Sequence, residues 1–306
     1  MKIVATVIAL ISGIIIGNGQ IAVSFLDHNC GVSISGSTAT GARVSPRILN
    51  GAPADMFGNP WMALISSLSG TCGGSLITNR FVLSAAHCRS SYPTVVYLGE
   101  FDRSTITDCS TTACMPNAIA IPVEAQIVHP SYYHFTQNDI ALFRLDREVQ
   151  YTDYIKPICL LTNYNPLNSI SSLTATGWGT TENGSPSSIL RTATLRQVDR
   201  SNCSALFGNR VDTSHICAGE SNSDTCSGDS GGPVSAKIQF NDGSNRVIQL
   251  GIVSYGEDTC RNYAVYTNVM HHINWILQVV GQYTQYTLVY QAPVIYYYTP
   301  YYTNVG

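Results

Sequence analysis

The chain has 306 residues, which is enough for one large domain or two small ones with a substantial core. Its formal net charge is −3 and only 11% of its residues are charged, with no basic tract, so nucleic acid is not an expected partner. Ten cysteines, 18 tyrosines and 25 glycines are compatible with a secreted, β-rich protein.

The N-terminus predicts a signal peptide over residues 1–19. Lys2 precedes an apolar run, residues 3–16, and small residues follow it. The alternative is a membrane anchor, but a spanning helix needs roughly 20 apolar residues and Asn18 already interrupts this run. We therefore expect cleavage between about Gly19 and Ala22, secretion to the extracellular space, and no membrane partner.

Residues 20–47 are polar, lack periodicity and carry one cysteine, Cys30. This stretch predicts a propeptide that is too poor in apolar residues to fold alone. An even number of cysteines behind a signal peptide indicates disulfides, and no second close cysteine pair stands at zinc-finger spacing beside Cys109 and Cys114. We expect disulfides and no metal cluster.

Residues 48–280 predict an all-β domain. Short apolar runs such as FVLSAA, DIALFRL and VIQLGIVSY alternate with turn signals, as in an antiparallel barrel or sandwich. One helix is predicted near the end, over 269–280. Residues 281–306 form a tail with eight of the 18 tyrosines. The tail reads as a loosely packed extension, with an adhesion or cross-linking segment as the alternative.

Three distant stretches fit one chemistry. They are LSAAHC with His87, NDIALFRL with Asp139, and DTCSGDSGGP with Ser230. A serine hydroxyl needs a neighbouring base, and that base needs an anion to fix its tautomer. Histidine suits the base and a buried aspartate suits the orienting role. Gly228 allows its own N–H and that of Ser230 to point at one developing oxyanion.

With TGWG and the complete GDSGGP, these motifs resemble the trypsin/chymotrypsin-like serine proteases over Ile48 to Gln278. Further shared stretches are ILNG, CGGSLI, KPICL, GIVSYG and VYTNV, and the pattern is most similar to insect extracellular members. The resemblance implies two packed antiparallel six-stranded β-barrels with a C-terminal helix. The active site would lie in the cleft between the barrels, whose boundary would fall near residues 157–172.

The resemblance also implies activation by a cut after Arg47. The new ammonium of Ile48 would fold inward and pair with Asp229, and a buried pair of this kind is costly to break. The cut would therefore order the loops around Gly228 and complete the oxyanion hole. If Arg47 is instead an ordinary linker residue, Asp229 has no evident purpose.

The resemblance implies cleavage after Arg or Lys, because in trypsin-like members an aspartate at the position of Asp224 lies at the bottom of the primary specificity pocket. Thr225 would add a hydroxyl there, and Ser254 to Gly256 would line the pocket and bind an extended substrate. Ala264 stands where the family usually has glycine, so we expect its methyl group to narrow the pocket.

The resemblance implies the pairs Cys30–Cys159, Cys72–Cys88, Cys203–Cys217 and Cys226–Cys260, which leave Cys109–Cys114 as the fifth. The first would tether the cut propeptide to the catalytic chain. One cysteine in the propeptide is too few for the disulfide-knotted clip domain of many insect cascade proteases.

Further sites follow from short patterns. Asn183 and Asn202 stand in glycosylation sequons. Glu100, Asp102 and Glu124 fall near a loop that binds calcium in some family members, and an aromatic residue at the position of Tyr263 can accompany a sodium site. Solvated surface charge is the simpler interpretation of these carboxylates, so no cofactor is expected.

The leading hypothesis is a secreted trypsin-like endopeptidase made as a zymogen, with protein substrates, an upstream activating protease and a serpin-type inhibitor as partners. A second hypothesis is a non-catalytic protease homologue that acts as a binding cofactor, although such proteins usually lack one triad residue. A third is a structural matrix protein that works through its tyrosine-rich tail.

Overall fold

The computed structural model describes residues 21–34, 52–111, 113–181, 184–208, 211–219, 225, 228–257, 262–283 and 296–298. Within this part of the chain, no helix is long and apolar enough to cross a membrane.

Six strands of the first half form a closed antiparallel barrel in the order β3-β4-β5-β8-β7-β6. Their bounds are β3 Met62–Ser67, β4 Gly70–Thr78, β5 Phe81–Ser84, β6 Val95–Leu98, β7 Ile119–Val128 and β8 Ala141–Leu145. Both faces of β5 are buried, one in the barrel core and one against the rest of the domain. This explains why FVLS reads as a continuous apolar run and not as an alternation.

The second half builds a second barrel. Its sheet runs in the order β11-β14-β13-β12-β9-β10-β2, and a further β10–β11 pairing closes the six strands β9 to β14. The bounds are β2 Ala52–Pro53, β9 Ser172–Gly177, β10 Arg191–Val198, β11 His215–Gly219, β12 Pro233–Gln239, β13 Asn245–Tyr255 and β14 Tyr263–Asn268. The predicted fold of two six-stranded barrels with a C-terminal helix is confirmed.

Among the described residues, two α-helices and two short 3₁₀-helices accompany the barrels. They are α1 Arg200–Phe207, α2 Ile273–Tyr283, and the 3₁₀ turns Ala86–Cys88 and Leu167–Ser169. The helix α2 begins four residues later than predicted, because the Asn268 side chain accepts the N–H of Met270 and holds a turn there. It ends three residues later, at Tyr283, whose ring packs on Phe81 of the first barrel.

The N-terminal segment, residues 21–34, packs on the second barrel. It begins with strand β1, Ile21–Val23, which pairs antiparallel with β15, Tyr296–Tyr298. Val23 and Phe25 are buried in the core of the second barrel. The sequence did not predict that this segment docks on the second barrel. Two buried apolar side chains, Val23 and Phe25, are enough for docking because the barrel supplies the rest of the core.

Phe25 supplies much of this contact. It is 5% exposed, its ring meets that of Phe240 edge-on at 5.5 Å, and the Arg246 guanidinium lies 5.3 Å from the ring centroid. We expect Phe25→Ala to lower the free energy of unfolding by about 3–5 kcal/mol, through lost burial and the cavity left behind. Chemical denaturation measures this as a lower midpoint at an unchanged slope.

The matched control is Val32→Ala in the same segment, where the side chain is 42% exposed. Its midpoint should stay close to that of the unmodified protein. If the two variants have equal midpoints, the segment contributes nothing to the core.

Candidate functional site

His87 lies on the 3₁₀ turn that follows β5. The disulfide between Cys72 on β4 and Cys88 ties this turn to the first barrel. His87 is therefore held by a short rigid element, and its side chain keeps a 25% exposed fraction toward the cleft.

Asp139 is held just before β8 and is 1% exposed. One carboxylate oxygen accepts the backbone N–H of His87 at 2.9 Å, and the other lies 2.7 Å from its Nδ1. The second oxygen also accepts the Ser254 hydroxyl at 2.5 Å. Because Nδ1 is occupied by the carboxylate, Nε2 is the nitrogen left to face the cleft.

Ser230 lies on a turn whose glycines have backbone angles that other residues rarely adopt. The φ angles are +98° at Gly228 and +79° at Gly231. A Cβ on Gly231 would collide with the Gly73 carbonyl and the Ser84 hydroxyl. The Ser230 carbonyl accepts the Gly73 N–H at 2.8 Å, so β4 of the first barrel holds the loop of the second.

Asp229 is 1% exposed, and its carboxylate accepts the N–H of Gly179 at 2.9 Å. A Cβ on Gly177 or on Gly179 would overlap this carboxylate. The sequence motif TGWG therefore has a steric explanation, because its two glycines make room for a buried acid beside Ser230.

The candidate substrate pocket is described in part. Thr225 is 6% exposed and hydrogen-bonds the Tyr266 hydroxyl at 3.1 Å. Ser254 is the last buried residue of β13, and Gly256, just after the strand, is exposed to solvent. Ala264 on β14 is buried opposite Gly256, so that a Cβ built on that glycine would come within 3.1 Å of the Ala264 methyl.

Several predicted site residues lie outside the described residues. They are Arg47, Ile48, Asn183, Asp224, Cys226 and Cys260. Asn202 is described, lies exposed on α1 and donates to the Asp199 carbonyl. Four implied disulfides are present in the structure: Cys30–Cys159, Cys72–Cys88, Cys109–Cys114 and Cys203–Cys217.

The three carboxylates considered for calcium do not converge. Glu124 forms ion pairs with Arg80 at 3.1 Å and Arg144 at 2.6 Å. Glu100 and Asp102 lie instead near Asp108, and burial, followed by the Asp108 charge, raises the pKa of Glu100. Tyr263 begins β14 and packs beside the Cys203–Cys217 disulfide.

Ligand atoms of three metal-binding side chains come together, within the described ranges, only at His87, Cys72 and Cys88. The two sulfurs are joined in a disulfide, so this group offers a single ligand.

Histidines support the segment that leads into Asp139. His215 is 3% exposed and bonds the Thr136 carbonyl through Nε2 at 3.1 Å. The His129 ring packs 5.1 Å from the His272 ring, and His271 lies 4.9 Å beyond it. Burial lowers the pKa of His215 and of His129, and burial with the neighbouring histidines lowers the pKa of His272 to about 3.

Two supports of Asp139 were not anticipated. Ser254 was expected only to line the pocket, and Thr267, whose hydroxyl donates to the Asp139 carbonyl at 2.8 Å, was not singled out. These partners are 115 and 128 residues from Asp139 in sequence, and no local motif signals either contact.

Comparison with known proteins agrees with this geometry. A family model described as Trypsin matches residues 48–276. The chain is 36% identical over 259 residues to the Drosophila melanogaster Serine protease grass, covering 78% of this chain and 69% of that protein. It is 35% identical over 278 residues to the Spaetzle-processing enzyme of the same organism, covering 80% of this chain and 69% of that protein.

A solved structure shows the same fold. The crystal structure of the Drosophila Grass clip serine protease of the Toll pathway aligns with a TM-score of 0.69 and 33% identity. The alignment covers 84% of this chain and 76% of that one.

The histidine cluster predicts a pH dependence of stability. An unfolded histidine takes up its proton near pH 6.5, whereas folded His272 does so only near pH 3. Between these values the unfolded state binds more protons, so stability falls as the pH falls, by up to about 1.4 kcal/mol per pH unit from this group. His129, His215, His271 and Asp212 face it and modulate the slope.

Replacing His272 by leucine should flatten the fall in unfolding free energy between about pH 6 and pH 4, as measured by denaturation at several pH values. The exposed His28→Gln variant is the control and should keep the original slope. Equal slopes in both variants would mean that His272 is not held neutral by burial.

Proposed function

Because this chain belongs to the trypsin family of serine proteases, we propose that it is a secreted endopeptidase, made as a zymogen, that cleaves after Arg or Lys. Its class as a serine endopeptidase follows from the family match over residues 48–276 and from relatives of moderate identity over most of the chain. The residue roles, the activation step and the specificity are the proposed parts.

The observation that carries the mechanism is the fixed His87–Asp139 pair beside the Ser230 loop. In the proposed first step, the Ser230 hydroxyl attacks the scissile carbonyl carbon while His87 Nε2 takes its proton. Asp139 keeps the ring in this orientation through the 2.7 Å contact to Nδ1 and stabilises the imidazolium that forms.

The N–H groups of Gly228 and Ser230 would hold the developing oxyanion, and the +98° φ of Gly228 supports this role. The tetrahedral intermediate then collapses, His87 gives its proton to the leaving amine, and the acyl group stays on Ser230. Water, deprotonated by His87, attacks the ester and releases the second product with regeneration of the serine hydroxyl.

Activation is proposed to follow a cut between Arg47 and Ile48. The new Ile48 ammonium would pair with Asp229, whose burial beside Ser230 and bond to the Gly179 N–H support this role. A buried carboxylate gains considerably from an opposite charge, so the pair would fix the backbone of the oxyanion hole. The Cys30–Cys159 disulfide would keep the cut N-terminal segment attached.

Specificity for Arg or Lys is proposed from Asp224 at the base of the pocket, with Thr225 beside it. The buried Thr225 hydroxyl, bonded to Tyr266, supports a polar pocket floor. Protein substrates, an activating protease and a serpin-type inhibitor are the expected partners. The relative named Spaetzle-processing enzyme processes, by its name, Spaetzle.

The first test combines activation with a catalytic knockout. The proform is treated with immobilised trypsin, the trypsin is removed, and Arg, Lys and Phe peptide substrates are assayed. Activity on Arg and Lys substrates should appear only after a cut at Arg47, and Ser230→Ala should lower kcat by about 10⁶-fold.

Mass spectrometry of the new N-terminus and a circular-dichroism spectrum show whether the cut and the fold are correct. A correctly cut and folded protein without activity would favour the non-catalytic homologue that acts as a binding cofactor. Preferred cleavage after Phe would contradict the role proposed for Asp224.

Ala264 offers a test of pocket width. Its methyl group faces Gly256, so Ala264→Gly should widen the pocket and raise kcat/KM for Arg substrates by about 10-fold, and for the slimmer Lys side chain by less. Ala264→Val should act in the opposite direction. Parallel kcat/KM measurements on matched Arg and Lys peptides check both, and an unchanged Arg/Lys ratio in both variants would remove Ala264 from the pocket wall.

A further inference from the structure

The tyrosine-rich tail is joined to the start of the N-terminal segment. Strands β1 and β15 pair antiparallel, with Ile21 opposite Tyr298, Ala22 opposite Tyr297 and Val23 opposite Tyr296. This pairing joins residues 21–23 to residues 296–298. The expected activation cut after Arg47 would place these two strands on different polypeptides.

The residues that follow β1 pair with the catalytic domain instead. Ser24 accepts the N–H of Thr162 at 2.9 Å, and Leu26 donates to the Leu160 carbonyl at 3.0 Å. The Ser24 N–H is bound by the Asn163 side chain at 2.9 Å. One extended stretch, residues 21–26, is thus held first by the tail and then by the domain.

Further along, the N-terminal segment is fixed by contacts that do not involve the tail. Gly31 donates to the Pro157 carbonyl at 2.8 Å, and Arg246 donates to the Cys30 carbonyl at 2.6 Å. A lone pair of strands is only marginally stable in water. Here β1 is already positioned by its neighbours, so the tail strand meets a preformed edge and loses less conformational freedom on pairing.

The tail also has an anchor at its other end. Tyr283, the last residue of α2, packs against Phe81 of the first barrel at 6.1 Å and lies under the Arg144 guanidinium at 4.8 Å. Twelve residues, 284–295, separate it from β15, which is enough chain to span about 40 Å. The two anchors of the tail therefore lie on different barrels.

We propose that the C-terminal tail holds the N-terminal segment on the catalytic domain. Its strand Tyr296–Tyr298 adds to the edge of β1 before the chain is cut and stays there afterwards. In the two-chain enzyme, the N-terminal segment is then retained by this pairing as well as by the Cys30–Cys159 disulfide. The strand that pairs with the edge of β1 is β15 of this same chain. The tail therefore binds its own N-terminal segment in this proposal, whereas in an adhesive role it would bind another molecule.

The pairing also sets a limit on signal-peptide cleavage. Because β1 begins at Ile21, the mature chain must start at or before this residue for all three pairs to form. A mature N-terminus at Val23, measured by mass spectrometry of the secreted protein, would remove two of the three pairs and would contradict the proposal.

The register is tested in the uncut chain, so this experiment does not depend on the proposed activation. The double variant Ala22→Cys/Tyr297→Cys places two thiols directly opposite each other, and non-reducing peptide mapping should find them joined. The control Ala22→Cys/Tyr298→Cys is offset by one residue, which turns one thiol to the other face of the sheet, and it should remain unlinked. Equal cross-linking in both variants would overturn the pairing.

Retention is tested in the cut enzyme and rests on the proposed cleavage after Arg47. In Cys30→Ala/Cys159→Ala, the N-terminal segment has no covalent tether after the cut. Deleting residues 284–306 in this background should speed its loss during gel filtration by about tenfold, since three cross-strand pairs are removed. Equal rates of loss with and without the tail would overturn the proposal.

Reducing gels separate the two possible failures. An uncut chain runs at full length and counts against the activation step, whereas a cut chain whose segment leaves at the same rate with or without the tail counts against the role of the tail. Deleting residues 284–306 from the otherwise unmodified enzyme should leave kcat/KM for small peptides unchanged, because the hydrogen bonds that hold His87 and Asp139 come from the two barrels.

Discussion

The buried carboxylate of Asp139 is the interaction on which the site depends. A carboxyl group with 1% exposure is tolerated only when its oxygens are hydrogen-bonded. The donors come from both barrels: the His87 backbone and ring from the first, and the Ser254 hydroxyl from the second. Satisfying the oxygens of this one carboxyl group therefore fixes the orientation of the His87 ring and the relative position of the barrels at the cleft.

The N-terminal segment covers the hydrophobic core of the second barrel. Its core would be open to water near Leu161, Phe240 and Ile248 without the apolar side chains that the N-terminal segment contributes. Phe25 fills this space and Arg246 closes over its ring. The segment expected as a propeptide is thus a structural part of the domain, which is consistent with a tether that keeps it after a cut.

The short apolar runs predicted an all-β domain, and the resemblance to a known family specified two barrels and the candidate site residues. Alternating and continuous apolar runs mark strands, and GDSGGP needs its glycines for the positive φ angles observed at Gly228 and Gly231. The donors Ser254 and Thr267 could not be found in this way, because their contacts join residues more than 100 positions apart. The docking of residues 21–26 was missed because its apolar partners belong to the barrel and not to the segment.

His87 and Asp139 are held by contacts separate from those of the buried Asp229, and this separation bears on the proposed activation. His87 and Asp139 are fixed by β5, β13 and β14 and by the Cys72–Cys88 disulfide, and none of these contacts involves residue 48. Asp229 instead adjoins Ser230 and contacts Gly179, and Gly179 in turn lies against Gly228. In the proposed activation, an ammonium that reaches Asp229 would therefore act through these contacts on the loop that carries Gly228 and Ser230, and not on the His87–Asp139 pair.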